Sequence, residues 1–190
     1  MIEKQYKQKK NIRNMEVKAS LISKVNNEKK VDILRKNWMS HEARYQMATV
    51  RELGWEKANN INKTVIYEMG KVMMYRLMKA LGISQVNNID DFKEICITAQ
   101  EFYYPPPVFS VHLDRESDTS LLGTVEKCGI IENIKRLGVS DQYECGCLVM
   151  RSGWYKALGM DVEERLGSCI KNGAKTCQIK IFVKKWSNKK

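Results

Sequence analysis

At 190 residues, 43% hydrophobic and 29% charged, the chain has the length and composition of one globular domain with its own core. It holds no run of eighteen apolar residues, so no membrane-spanning helix is expected, and no apolar stretch follows the basic N-terminus as a secretory signal requires. The net charge of +11 would suit a polyanion, but it sits at the two ends and no aromatics interleave with the lysines, so nucleic acid is not expected as a partner.

Residues 1–30 carry nine Lys/Arg against three Asp/Glu and read as a basic, partly disordered arm. A single domain is expected over 31–184, followed by a basic tail at 185–190. From Val31 to about Leu53 the apolar residues Ile33, Leu34, Trp38, Ala43, Met47 and Val50 fall roughly on one side of a helix. Gly54 should end it. A second helix is expected from Glu56 to Leu81, with Ile61, Val65, Met69, Val72, Met73, Leu77, Ala80 and Leu81 at three-to-four spacing. Gly70 lies inside it, at a cost of about 1 kcal/mol against Ala, and the usual return is close approach of another helix. Asp90 or Asp91 could cap a third helix running to Gln100, with Phe92, Ile95, Cys96 and Ala99 inward.

At Pro105-Pro106-Pro107 the period changes from helical to extended. Phe109, Val111 and Leu113 alternate with Ser110, His112 and Asp114, the pattern of a half-buried strand. LLGTVEKC returns as a second strand, 129–138 reads as a short helix, and a further helix should run from about Cys145 to Leu158. VEERLGSCIK and TCQIKIFVKK then form a last hairpin around Asn172-Gly173. The expected fold is α+β: N-terminal helices packed on an antiparallel sheet of two hairpins, with two helices between the hairpins.

Outside a secretory route, and so in the cytoplasm, six cysteines should be thiols or metal ligands rather than disulfides. In the last hairpin, loop length decides where two sulfurs go. A two-residue loop sets Ser168 against Cys177; a three-residue loop, Asn172-Gly173-Ala174, sets Cys169 against Cys177, with Cβ atoms about 4.5–5.5 Å apart. That second spacing suits two ligands of one metal. The plain alternative is two small buried side chains on a sheet. Cys128 closes the second strand, and Cys145 and Cys147 stand where a helix N-terminus favours a thiolate. Cys128, Cys145, Cys169 and Cys177 are therefore the expected metal set, with Cys96 placed in the core.

The stretch YECGCLVMRSGWYKALGMDVEERLGSCIKNGAKTCQIKI resembles the C-terminal half of the L-2-amino-thiazoline-4-carboxylic acid hydrolase-like family. The stretch from Asn37 to Ile83, with its Trp-x-x-His helix, is similar to uncharacterised relatives of that group. The resemblance covers roughly residues 31–183. A more distant likeness joins RLGVSDQYEC and NGAKTC to vinyl-reductase-type small-molecule-binding domains, in which cysteines at the matching places bind zinc. Carried across, Cys145, Cys169 and Cys177 match best, and Cys128 or Glu126 would stand for an acidic ligand that has no clean counterpart.

Two functions follow from the resemblance and the residues. One is a hydrolase that opens a small heterocycle by attack on a carbon held between nitrogen and sulfur. The attacker would be water on zinc or iron, or a thiolate, Cys145 or Cys147. His41 would serve as general base, Arg44 as a carboxylate clamp, and Trp38, Tyr45 and Trp154 as pocket walls. The other is a non-catalytic small-molecule-binding or sensing domain, homo-oligomer or monomer, whose cysteines hold a structural zinc in a closed four-sulfur site.

Overall fold

The computed structural model describes residues 21–187. Most of the basic arm (1–20) and the last three residues of the tail lie outside that range. Helix α1 runs Asn27–Leu81 but is broken at Gly54, whose φ of 77° and ψ of 167° no helix contains. The glycine stop expected there is a change of direction between two helical stretches. Asn26 starts the first stretch, its side chain accepting from the Lys29 amide at 2.7 Å.

Helix α2 spans Ile89–Tyr103. Its cap is Asn88 rather than either aspartate: the Asn88 side-chain oxygen accepts from the Asp90 and Asp91 amides, while its NH2 donates to the Asp91 carboxylate. Asp90 and Asp91 instead fill the first turn, where the helix dipole favours negative charge. Strands β1 (Phe109–Arg115) and β2 (Ser120–Cys128) form the first hairpin. Helices α3 (Gly129–Arg136) and α4 (Cys147–Leu158) follow, then β3 (Asp161–Ser168) and β4 (Cys177–Lys185).

The sheet is antiparallel throughout, in the order β1-β2-β4-β3. The two hairpins therefore join through β2 and β4, with Leu121 opposite Ile181 and Gly123 opposite Ile179 at the seam. Helix α2 packs on β1 and β2, and α4 on β3. Phe92 and Ile95 from α2, Leu121, Ile179 and Ile181 from the sheet, and Trp154, Tyr155 and Leu158 from α4 are all buried. The Phe92 ring lies 5.6 Å from that of Tyr155. This is the α+β fold expected from the sequence.

The chain divides into two compact units, Met1–Met47 and Ala48–Lys190. Within the second, the stretch of α1 after Gly54 meets α4 at two glycines. A Cβ at Gly70 would collide with the Met150 carbonyl, and one at Gly153 would press on the Lys71 amide and the Gly70 Cα. The glycine inside α1 is thus spent on close helix approach, as its position implied. No helix among the described residues is long and apolar enough to cross a membrane.

Candidate functional site

Five cysteines of the second unit stand near one another, delivered by three junctions. Cys128 ends β2 and serves as the backbone cap of α3. Cys145 precedes α4, and Cys147 is its first residue after Gly146. Cys169 and Cys177 flank the turn between β3 and β4. The sixth, Cys96, is buried in α2, and burial pushes its thiol up to about 12. It is a core residue.

Four of the five sulfurs fall into two pairs, and Cys128 is in neither. Cys145 Sγ donates to Cys147 Sγ at 3.4 Å, and Cys177 Sγ to Cys169 Sγ at 3.9 Å. The second pairing follows from register. Ser168 opposes Gln178, and one more step in that register sets Cys169 against Cys177, as the three-residue loop would. The connection is longer, however. A 3-10 turn, Ile170–Asn172, ends at Gly173 with φ 93°, and the Cys169 carbonyl accepts from the Asn172 and Ala174 amides. Beyond Ser168 the register shifts by one residue at Gly167, a bulge that no pattern in the sequence announces.

The two pairs are not equivalent electrostatically. The hydrogen bond from Cys145 is the chief influence lowering the Cys147 thiol, to about 6; burial opposes it, and the Arg151 guanidinium and the Leu148 amide assist. Cys145 is driven the other way, first by the same bond, which its proton makes, and then by burial. One thiolate and one thiol therefore share the Cys-Gly-Cys motif, and the thiolate is the sulfur at the helix N-terminus, where the dipole also favours it. Cys177 is raised to about 11 by burial, although the Ile170 amide donates to it at 3.2 Å. Cys128 is likewise raised by burial, with further repulsion from Cys147 and Cys169.

Arg151, one turn along α4 from Cys147, belongs to a buried network that the sequence did not disclose. Glu164 of β3 accepts from Arg151 through both carboxylate oxygens, at 2.6 and 3.2 Å, and from the Tyr155 hydroxyl at 2.6 Å. The Glu164 side chain is 6% exposed and that of Arg151 16%. Burial alone would discharge the guanidinium, but Glu164 keeps it well on the charged side. An open cavity of about 280 Å³ adjoins this network, lined by Leu148, Val149, Ser152, Tyr155, Val162 and Glu164. A helical Arg facing a strand Glu across α4 and β3 has no local spacing signature. Only their charge within half-apolar segments could have hinted at it.

A second unforeseen residue is Asn59, 2% exposed on α1. Its amide nitrogen donates to the Gln142 carbonyl at 2.7 Å, and its oxygen accepts from the Glu144 amide at 3.3 Å. It clamps the loop that presents Cys145. Gly146 lies against the Ile66 side chain of the same helix.

The remaining expected residues divide between the two units. Trp38, His41, Arg44 and Tyr45 lie in the first unit. There the exposed rings of His41 and Tyr45 stack at 6.1 Å, and Arg44 donates to the Ser40 carbonyl at 3.1 Å. Trp154 is 2% exposed, in the core of the second unit, and its indole N–H meets no acceptor among the described residues. Glu126 pairs with Ser110 and His112 on the exposed face of the first hairpin. As for the metal set, Cys128, Cys145, Cys169 and Cys177 do not form one shell. Among the described residues no three His, Cys, Asp or Glu side chains are disposed to hold a metal ion.

A profile of the family described as L-2-amino-thiazoline-4-carboxylic acid hydrolase matches residues 33–181. The chain belongs to that family. No curated protein matches it. Among solved structures it is similar to subunit 3 of the trafficking protein particle complex from Naegleria fowleri, crystallised covalently bound to palmitic acid, with a TM-score of 0.56 and 15% identity over 83% of this chain and 99% of that one. At such identity the likeness is one of fold. Family membership makes this a hydrolase-like chain directed at small molecules.

Proposed function

We propose that the chain hydrolyses a small carboxylate-bearing heterocycle at a carbon flanked by nitrogen and sulfur, with Cys147 as nucleophile. The observation that carries this reading is the 3.4 Å contact between Cys145 and Cys147 at the head of α4. It holds one sulfur as a thiolate beside a second that retains a proton. Addition of the thiolate to the ring carbon moves an electron pair onto the ring nitrogen, which takes the Cys145 proton. Collapse breaks the ring carbon–sulfur bond, expels the ring sulfur as a thiolate and leaves the carbon attached to Cys147. Water then attacks that carbon, one of its protons returning to Cys145 and the other passing to the expelled sulfur, and the carbon–Cys147 bond breaks to restore the Cys147 thiolate. Arg151, held charged by Glu164, sustains the negative charge at Cys147 each time it is regenerated. All of these groups lie in the second unit. The base role of His41 and the wall and clamp roles of Trp38, Arg44 and Tyr45 remain expectations from the residues of the first, and the same holds for Trp154. A reducing, cytoplasmic setting suits the reading, since all six cysteines stand as free thiols.

The test is turnover of L-2-amino-thiazoline-4-carboxylate by the full chain and by Cys147→Ser. Loss on the order of 10³-fold or more is expected for the variant, with a Cys147 adduct of the wild type detectable by mass after acid quench. Unchanged turnover in Cys147→Ser would sink the nucleophile.

The second reading is a binding domain stapled by zinc or iron on Cys128, Cys145, Cys169 and Cys177. What favours it is the delivery of these four cysteines to neighbouring junctions, the end of β2, the head of α4 and the turn between β3 and β4. It requires Cys128 and Cys145 to close on the Cys169–Cys177 pair. One tightly held metal per chain, lost in Cys169→Ser, together with ligand binding and no turnover in the wild type, would favour it over the first.

A further inference from the structure

The Cys-Gly-Cys motif holds two sulfurs in contact at the edge of solvent, and hydrolysis calls for only one of them as a nucleophile. Both cysteines are partly exposed. Gly146 between them has φ −91° and ψ 0°, a bent backbone. The bend shortens the Cα separation of residues 145 and 147 below the roughly 7 Å of an extended tripeptide. It brings the pair into the window of about 4.4–6.8 Å that a disulfide spans. The sulfurs at 3.4 Å then need only a modest rotation to bond. The outer pair, Cys169 and Cys177, is more widely set at 3.9 Å, and the Ile170 amide already engages Cys177 Sγ.

We propose that Cys145 and Cys147 form a reversible dithiol–disulfide site that exchanges with low-molecular-weight disulfides of the glutathione disulfide class. Cys147 Sγ attacks one sulfur of RSSR. The new bond is Cys147 S–SR, and RS⁻ leaves and takes a proton. Cys145 then loses its proton to solvent, and its sulfur attacks Cys147 Sγ, expelling the second RS⁻, which leaves as RSH. The net change is protein dithiol plus RSSR to protein disulfide plus two RSH, balanced in atoms and electrons. The bent glycine joins the two steps, because it keeps the resolving sulfur within reach of the mixed disulfide. Oxidation withdraws the Cys147 thiolate, so this site would also set whether the hydrolytic chemistry is available. The exchange itself does not depend on that chemistry.

The experiment treats the full chain with glutathione disulfide, alkylates the remaining thiols and digests with trypsin. Cleavage after Arg136 and Arg151 places Cys145 and Cys147 in one peptide, residues 137–151, whereas Cys169 and Cys177 fall in two different peptides. The expected product is the 137–151 peptide lighter by two hydrogens and lacking both alkyl groups, restored by dithiothreitol. Cys145→Ser should stop at a glutathione adduct on Cys147, and Cys169→Ser should leave the internal link intact. A first link between Cys169 and Cys177, or a wild-type chain that halts at the mixed disulfide, would overturn the proposal. Because the readout is mass, a chain with no hydrolytic turnover can still pass or fail it. If Cys145→Ser does not fold, the wild-type peptide map alone decides.

Discussion

Gly153 of α4 lies against Gly70 of α1, so closely that a methyl group at residue 153 would stand 3.2 Å from the Gly70 Cα and 3.0 Å from the Lys71 amide nitrogen. It would also collide with the Tyr67 carbonyl oxygen. These are backbone atoms of a helix and cannot swing aside as a side-chain tip can. Gly153→Ala should therefore destabilise the fold by about 1–3 kcal/mol through overpacking, despite the better helix propensity of alanine. Urea unfolding checks this; a variant as stable as the wild type would mean that the two helices part without cost.

The buried Arg151–Glu164 pair makes a different prediction. Glu164→Gln preserves shape but leaves the guanidinium facing a neutral amide. Removing one partner of a buried pair costs about 3–5 kcal/mol, and Tyr155 loses its carboxylate acceptor as well. Arg151→Met with Glu164→Leu removes both charges and should recover much of that loss. Thermal melts of the single and double variants test it: a single variant costing less than about 1 kcal/mol would show that the pair is effectively solvated.

Cys147 should titrate visibly. Its thiol is lowered to about 6 from an ordinary 9, so the thiolate is present above pH 6 and disappears as the pH falls through it. The rate of Cys147 alkylation by iodoacetamide, followed on the 137–151 peptide, should be near its plateau at pH 7 and drop below pH 6. Urea-unfolded protein should rise only towards about pH 8.5. Cys145→Ala, which removes the first cause of the shift, should move the folded midpoint upwards. A midpoint near 8.5 in the folded wild type would remove the thiolate from the mechanism.

The elements were legible in the sequence where period and punctuation agreed. Gly54, Gly138 and Gly159 end helical stretches, the alternation from Phe109 to Asp114 is a strand, and the cost of Gly70 pointed to a packed helix. Those signals are local, and they report backbone geometry that a few neighbours determine. The site was legible only in part. Cys169 and Cys177 do face each other, because a turn fixes register over a short range, but the bulge at Gly167 and the 3-10 turn after Cys169 were invisible. Whether sulfurs brought from β2, α4 and the last turn share one shell depends on tertiary distances that spacing cannot supply. The same holds for Arg151 and Glu164, each unremarkable alone. Asn59 was hidden for a related reason, since a buried asparagine and a solvated one look alike until the loop it grips is in place.

Asn59 offers the sharpest separation of structure from chemistry. Its side chain satisfies the Gln142 carbonyl and the Glu144 amide immediately before Cys145, so it acts on the thiols only through the loop, as a positioning residue. Asn59→Ala strands both backbone groups and should cost about 1–3 kcal/mol. Asn59→Asp keeps an acceptor for Glu144 but loses the donor to Gln142. If the loop sets the contact between Cys145 and Cys147, both variants should raise the pH midpoint of Cys147 alkylation, with Ala shifting it further than Asp. Stability loss with an unmoved midpoint would assign Asn59 to folding alone, and the placement of the sulfur pair would then rest on Gly146 and its contact with Ile66.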